Sequence, residues 1–459
     1  MGRKKILCAC LAVLSIYVFQ IQEGAAQSKF QEYQDSLFAK IPVKPGDVID
    51  STNWQLVKDL MPELFVEYVK TGQYVLKIGK YGFDAEDDQE WKDASVKNAG
   101  KYDIEPKTGE IIEKATGKYP KYLYGLPFSK IDPKDPFAGS KILFNHKATE
   151  FRGGSTEQHY ALALVGEKTG FERDIEGWWW RYRYWCRPDG EQPNQKDLLD
   201  MTYSFTLSPY DLAGSINLTR RPLGDKPDAS FTFIPAVRRI RRLGAADRSQ
   251  PSLGTDGVRD DTTGWSGRNS SMEWKYVGEQ LALQSVTDWA AEKVETMVEK
   301  SDGSWTTPPR PAPIILGYQN EEWKGAPWAV QNIVWIPVEV YIVEALAKDP
   351  YYAYGPTLYW IKKSNGTSVY KVITNRAGEL WKIAHFGFLW DKWWTGKPGG
   401  PKMSESEGTF WFFVDEKLRH ATLYDGQSNR EGKTFPIWYL SPRLKPSIFT
   451  LRHMRSMAK

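Results

Sequence analysis

Two periods of apolar residues divide this chain. Between Gln27 and Gly125 the apolar positions fall at helical spacing or show little pattern, and from Gly177 onward they alternate. In the first part, Ser51, Thr52 and Asn53 offer caps ahead of Trp54-Gln55-Leu56-Val57. Pro62 can open a second segment in which Leu64, Phe65, Tyr68 and Val69 share one face before Gly72 stops it. This predicts one kinked or two short amphipathic helices over Trp54–Lys70. Asp84 to Lys118 is charged and weakly patterned, and it reads as an exposed excursion for which ordered and disordered states are both open.

Leu126-Pro127-Phe128 to Asp135-Pro136 is set by its prolines as a positioning loop, since each fixes φ and turns the preceding residue away from helix. Ile142 to His146 and Phe151-Arg152-Gly153-Gly154-Ser155 follow, the paired glycines allowing a bulge or a close backbone approach. Strands are then expected at Trp178–Arg187, where Arg181 and Arg183 alternate with Tyr182 and Tyr184, and at Met201–Leu207, Leu212–Leu218 and Ser230–Phe233. After a loop rich in Gly, Asp and Ser (244–268), Trp274–Gly278 resumes strand character. Leu283, Val286, Ala290, Val294 and Met297 have the spacing of one face of a helix of about four turns, Leu283–Lys300. Val334–Leu346, Thr357–Lys363, Val369–Thr374, Leu380–Ile383, Phe410–Val414 and Ala421–Tyr424 complete a meander. Ser364-Asn365-Gly366 and Asn375–Gly378 are tight turns that make the sheet antiparallel. Thr450 can cap a short closing helix.

The segment Ser230–Arg248 concentrates the chemistry. Phe231, Phe233 and Pro235 alternate with small or polar residues, and Arg238, Arg239, Arg241 and Arg242 then surround Val237, Ile240 and Leu243. Two readings of the arginines stand. They pair with the nearby carboxylates of Asp247, Asp256, Asp260 and Asp261, or they contact an anionic head group or a partner through bidentate guanidinium groups.

The leader and the composition sharpen the picture further. The chain opens with Arg3, Lys4 and Lys5, an apolar run from Ile6 to Phe19 and Gly24-Ala25-Ala26, which is the pattern of a secretory signal peptide cleaved after Ala26. Cys10 precedes most of that apolar run, which argues against a lipid anchor on it. Beyond the leader only Cys186 remains, so no intramolecular disulfide is expected despite export. A net charge of +4 over 459 residues argues against a nucleic-acid partner. Aromatic residues at 14% suit a β-rich protein with a wide apolar surface to fill or offer.

Catalytic patterns are weak. Gly264-Trp265-Ser266-Gly267 lacks the second spacing of a nucleophile elbow, no His-Glu-x-x-His or phosphate loop occurs, and the 5 histidines stand singly. Asp256, Asp260 and Asp261 fit no complete calcium loop. No catalytic residue, metal site or cofactor is therefore assigned. His146 is expected to make a structural hydrogen bond.

Gly125-Leu126-Pro127-Phe128, Lys141-Ile142 with Asn145-His146, Phe151-Arg152-Gly153-Gly154-Ser155, Leu212-Ala213-Gly214, Ala246-Asp247-Arg248-Ser249, Trp274–Gly278 and Gly378–Lys382 carry a resemblance. In this order they are similar to an exported bacterial family, domain of unknown function 1329. The resemblance implies the outer-membrane lipoprotein-sorting (LolA/LolB-like) fold: α+β, a curved, incompletely closed antiparallel half-barrel with covering helices. With the leader and the arm read above, this divides the chain into a signal peptide (1–26), a helical and loop-rich arm (27–125) and a lipoprotein-sorting-like half-barrel domain (126–459). The resemblance also gives Asn145, His146 and Arg152 the status of motif residues without an assigned role. The expected protein is a non-enzymatic periplasmic carrier of a lipid or other hydrophobic ligand, peripheral to the outer membrane in one variant; the alternatives are a non-carrying accessory that docks to an outer-membrane barrel or transporter and, third, an exported lipid hydrolase. The candidate partners that the resemblance implies are an outer-membrane β-barrel and an RND-type transporter. The helices Trp54–Lys70 and Leu283–Lys300 are the expected covers. Phe231, Phe233, Val338, Val340 and Trp381 are the expected lining of a concave ligand face, unless that face is an ordinary packed core.

Overall fold

The computed structural model describes residues 28–244, 246–251, 253–394 and 402–458. The leader and its cleavage point lie outside them. The alternating segments become long strands: β1 (Thr156–Gly166), β2 (Gly170–Arg183), β3 (Leu198–Ser208), β4 (Ile216–Pro222), β5 (Ala229–Ile234) and β6 (Arg239–Leu243). After the long loop come β7 (Met272–Thr287), β8 (Ile333–Ala347), β9 (Thr357–Lys362), β10 (Ser368–Thr374), β11 (Leu380–Trp394), β12 (Lys402–Asp415) and β13 (His420–Asp425).

Across the sheet the order is β6-β5-β4-β3-β2-β1-β13-β12-β11-β10-β9-β8-β7. All these neighbours are antiparallel, as the short turns require. Among the described residues no register joins β6 to β7. The β7 end instead curls inward until Val286 meets Phe388 of β11 in a single parallel pair. The fold is therefore α+β, with a large curved sheet that is not closed into a barrel, the class expected from the sequence.

The helices are α1 (Lys29–Phe38), α2 (Glu63–Lys70), α3 (Gln89–Lys97), α4 (Ala138–Phe151), α5 (Asp288–Glu292) and α6 (Leu451–Met457). Side chains of Ser28, Asp88 and Thr450 accept from backbone N–H groups in the first turns of α1, α3 and α6. Trp54–Val57 forms a 3-10 turn and α2 follows Pro62, so Trp54–Lys70 is two short segments. Phe65, Tyr68 and Val69 of α2 share a core with Trp335, Val338, Val340 and Tyr370 of the sheet. Each such side chain, fully buried, stabilises the fold by roughly 1.5–3 kcal/mol.

Two expectations are corrected. The stretch from Asp84 to Lys118 is not an exposed excursion. It holds α3 and the hairpin Tyr102–Ile104 with Ile111–Glu113, and Trp91, Tyr102, Ile104 and Ile111 are buried in one core, whereas Val96 on α3 stays exposed. Leu283–Lys300 is not a helix, because Leu283 to Thr287 end β7 and only the short α5 follows. Leu283 and Val286 lie in a stretch buried on both sides, where apolar spacing cannot separate strand from helix.

The central helix α4 gave no amphipathic signal because it is buried nearly all round. Ile142 and Leu143 face the sheet with Trp265, Trp274 and Tyr359, whereas Phe144, Ala148 and Phe151 face the arm with Trp91 and Trp185. Gly139 permits this seat: a Cβ there would come within 2.6 Å of the Trp274 carbonyl oxygen on β7. The face of the sheet that carries α4 is called the inner face below.

Candidate functional site

On β2 to β5 the alternation separates two chemistries. Trp180 and Tyr182 of β2, Met201 and Tyr203 of β3, Ile216 and Leu218 of β4, and Phe231 and Phe233 of β5 point outward, where Phe449 and Met454 at the C-terminal end cover them. The residues between them, Trp179, Arg181 and Arg183, Thr202, Ser204 and Thr206, and Asn217, Thr219 and Arg221, line the inner face. Thus the apolar stripe of these strands is an outer core and the polar stripe borders a cavity.

That cavity lies between α4, the inner face of the sheet and the loop from Arg248 to Ser266. Its larger chamber measures about 160 Å³ and its smaller about 60 Å³. Glu150, Arg181 and Arg183 border both. Trp179, Tyr160, Tyr424 and Leu162 give the larger chamber an aromatic and apolar wall. Tyr160 stacks on Trp179 with centroids 4.6 Å apart, and Arg181 sits 4.9 Å from the Trp179 ring. In the smaller chamber Thr156 Oγ1, Gln158 Nε2 and Ser368 Oγ find no hydrogen-bond partner among the described residues, a surface suited to water or a polar ligand atom.

Charge in the larger chamber is one-sided. Its lining carries Arg181, Arg183, Arg221, Arg248 and Arg259 against Glu150 and Asp200. Two of the arginines are matched from behind: Arg221 pairs with Asp228 at 3.0 Å, and Arg248 pairs with Asp260. The Asp228 carboxyl is held well below the usual range because Arg221, Arg248 and Arg268 outweigh its burial. Arg259 instead donates to the neutral Asn217 Oδ1 at 2.6 Å. Burial, and then the neighbouring Arg248, bring its guanidinium down to about 10. Glu150 lies 3.1 Å from Lys147, and each is buried.

The three motif residues all act as clamps on α4. Asn145 accepts from the Phe128 N–H at 3.0 Å and donates to the Phe128 carbonyl at 2.8 Å, fixing the proline-set loop. His146 Nδ1–H donates to the Gly366 carbonyl at 2.8 Å, the structural bond expected of it. Arg152 reaches Asp87 at 2.5 Å and also Asp88, and lies 4.3 Å from the Trp91 ring.

The residues expected to line a ligand face are not brought together. Phe231 and Phe233 sit in the outer core under the C-terminal segment, and Val338 and Val340 sit in the core beneath α2. Trp381 lies at the rim, edge-on to Tyr354 at 5.7 Å and donating Nε1–H to Asp415 Oδ2 at 2.8 Å. Arg238, Arg239, Arg241 and Arg242 are exposed along the hairpin of β5 and β6. The expected pairing with nearby carboxylates is corrected. Asp260 goes to Arg248, Asp261 to Lys371, Asp256 to His420 and Thr422, and Asp247 to the Gly244 N–H.

The inner arginines were missed as a group. Arg181 and Arg183 could have been found, since spacing of two on a strand puts both on one face. Arg221, Arg248 and Arg259 reach the chamber from another strand and a loop, which no local pattern joins.

Comparison with known proteins adds a family. The family model described as protein of unknown function (DUF1329) matches residues 48–437. Among solved structures, a DUF1329 family protein from Desulfovibrio piger is 13% identical, with 70% of this chain and 100% of that one covered and a TM-score of 0.45. A candidate outer membrane lipoprotein-sorting domain from Vibrio parahaemolyticus is 12% identical, covering 71% and 100%, with a TM-score of 0.44. A LolA superfamily protein from Nitrosomonas europaea is 13% identical, covering 69% and 98%, at 0.39. No curated protein matches the chain.

Proposed function

The chain belongs to the DUF1329 family, and from that premise we propose that it is a non-covalent carrier of an amphiphilic, lipid-like ligand, exported to the periplasm by the leader that ends at Ala26. The observation that supports the reading is the cavity under α4, where an aromatic wall of Trp179, Tyr160 and Tyr424 faces a polar, arginine-rich one. An apolar body against the rings and a head toward the arginines satisfies both walls, and such holding needs surface and fixed dipoles more than a catalytic group. Among the described residues no helix is long and apolar enough to cross a membrane.

Purification of the exported protein, native mass spectrometry and organic extraction test the reading. A stoichiometric adduct that extracts as an amphiphile is the expected result. A clean apo mass, together with no uptake of a fluorescent fatty acid, would sink it.

A second reading is favoured by the exposed arginines of β6. This strand is hydrogen-bonded to β5 on one side, and its arginines lack the carboxylate partners expected for them. Edge charges discourage strand pairing with other chains. They also offer a contact for an anionic partner, and the outer-membrane β-barrel and the RND-type transporter implied by the family resemblance are the candidates.

A further inference from the structure

Of the five arginines around the larger chamber, two are already neutralised by Asp228 and Asp260, and the lining as a whole keeps an excess of positive charge. Among the described residues the Arg259 guanidinium has one hydrogen-bond partner, the neutral amide oxygen of Asn217, with Asp260 and Asp247 attracting it from farther away. Arg183 is 5% exposed, lies 5.5 Å from the Phe151 ring and makes no ion pair among the described residues. Its neighbour Glu150 is shared, lying 3.1 Å from Lys147 while also attracting Arg183 from beyond ion-pair distance. Guanidinium groups taken out of water without an anion are costly, and the cost is relieved when a ligand brings the missing charge in bidentate geometry.

We infer that the larger chamber is an anion subsite, in which Arg259 and Arg183 hold the carboxylate, phosphate or sulfate head of a small amphiphile whose body lies on Trp179 and Tyr160. This inference deepens the carrier reading and rests on it. The Thr202, Ser204 and Thr219 hydroxyls on the chamber floor can supply further donors to the head. The lowered guanidinium value of Arg259 fits a site that waits for negative charge. Size limits the occupant: about 160 Å³ holds on the order of ten waters, hence a head and body of roughly ten non-hydrogen atoms, and a longer tail must leave the chamber.

Titration calorimetry on the mature protein with octanoate, 1-octanol and inorganic phosphate separates the head from the body and a lipid-like head from a free anion. Octanoate is expected to bind at least about tenfold more tightly than octanol, and Arg259→Gln to weaken octanoate by about 10- to 100-fold, narrowing its preference over octanol to near unity. Arg183→Gln gives the same reading if the first variant does not fold. Equal binding of octanoate and octanol by the native protein, or unchanged octanoate binding in both variants, would overturn the anion subsite and leave the carrier standing. Arg259-dependent phosphate binding with no binding of either C8 ligand would support the anion site and overturn the carrier. Binding of none of the three overturns both.

Discussion

His146 on α4 donates Nδ1–H to the carbonyl of Gly366, 220 positions away in the turn between β9 and β10, at 2.8 Å. The turn can come this close because Gly366 has φ +78° and no Cβ, which would stand 3.0 Å from the Asn145 carbonyl carbon. Helix and hairpin are therefore locked by this buried bond together with the Thr149 hydroxyl, which donates to the Asn365 carbonyl of the same turn. His146→Phe leaves the Gly366 carbonyl without its donor, and urea unfolding should show a loss of about 1–3 kcal/mol. An unchanged midpoint would remove His146 from the clamp.

Arg152 fixes the arm to the end of α4. Its guanidinium reaches Asp87 and Asp88 and covers the Trp91 ring, with all but 1% of its side-chain surface hidden. Arg152→Ala strands Asp87, whose carboxyl burial already pushes above its usual range, and thermal or urea unfolding should report a loss of about 3–5 kcal/mol. Arg152→Lys should recover little of this, since an ammonium can neither bridge two carboxylates as a fork nor stack flat on the indole. Full recovery by lysine would show that charge alone matters at this position.

What the sequence could and could not disclose follows from the range of its signals. Alternation located most strands, and the Ser364-Asn365-Gly366 turn and the Thr450 cap stand where local chemistry put them. The face of each strand was harder. Phe231 and Phe233 mark an apolar stripe, yet nothing local says whether a stripe lines a cavity or lies beneath a C-terminal segment more than two hundred positions away. The same limit hid α4, whose uniform burial erases the helical period, and hid that Arg183 of β2 and Arg259 of the long loop border one chamber. Conspicuous arginine density at 238–242 drew attention because it is contiguous. The inner arginines are dispersed and become a group only in three dimensions.

The arginines of the β5–β6 hairpin give a prediction with two separate readouts. Because Arg238, Arg239, Arg241 and Arg242 are exposed, changing all four to serine should shift unfolding stability by no more than about 0.5 kcal/mol per site. Association with vesicles rich in phosphatidylglycerol, measured by co-sedimentation at low salt, should fall sharply and should weaken in the native protein as salt rises. If native and variant proteins sediment alike at every salt concentration, the strand is not an anion contact and its charges serve to protect the edge.

His385 supplies the pH prediction. It lies among Phe65, Trp335, Phe410 and Phe412, and its burial lowers the imidazole to about 3. The fold holds this ring neutral. Above its ordinary value near 6.5 neither the folded nor the unfolded chain carries the proton, and the stabilisation is fully present. As pH falls below that value the unfolded chain gains a proton that the folded chain refuses, so stability drops progressively toward pH 3, with a limiting slope of about 1.4 kcal/mol per pH unit for one group. His420, raised chiefly by its bond to Asp256, acts in the opposite sense and contributes at pH below its folded value. His385→Phe keeps the aromatic packing, and Ser285 Oγ retains the Phe386 carbonyl at 3.1 Å as a partner. Denaturation midpoints taken between pH 6.5 and 5 should therefore fall less steeply in the variant than in the native protein. Parallel slopes would mean that the ring gains its proton without unfolding.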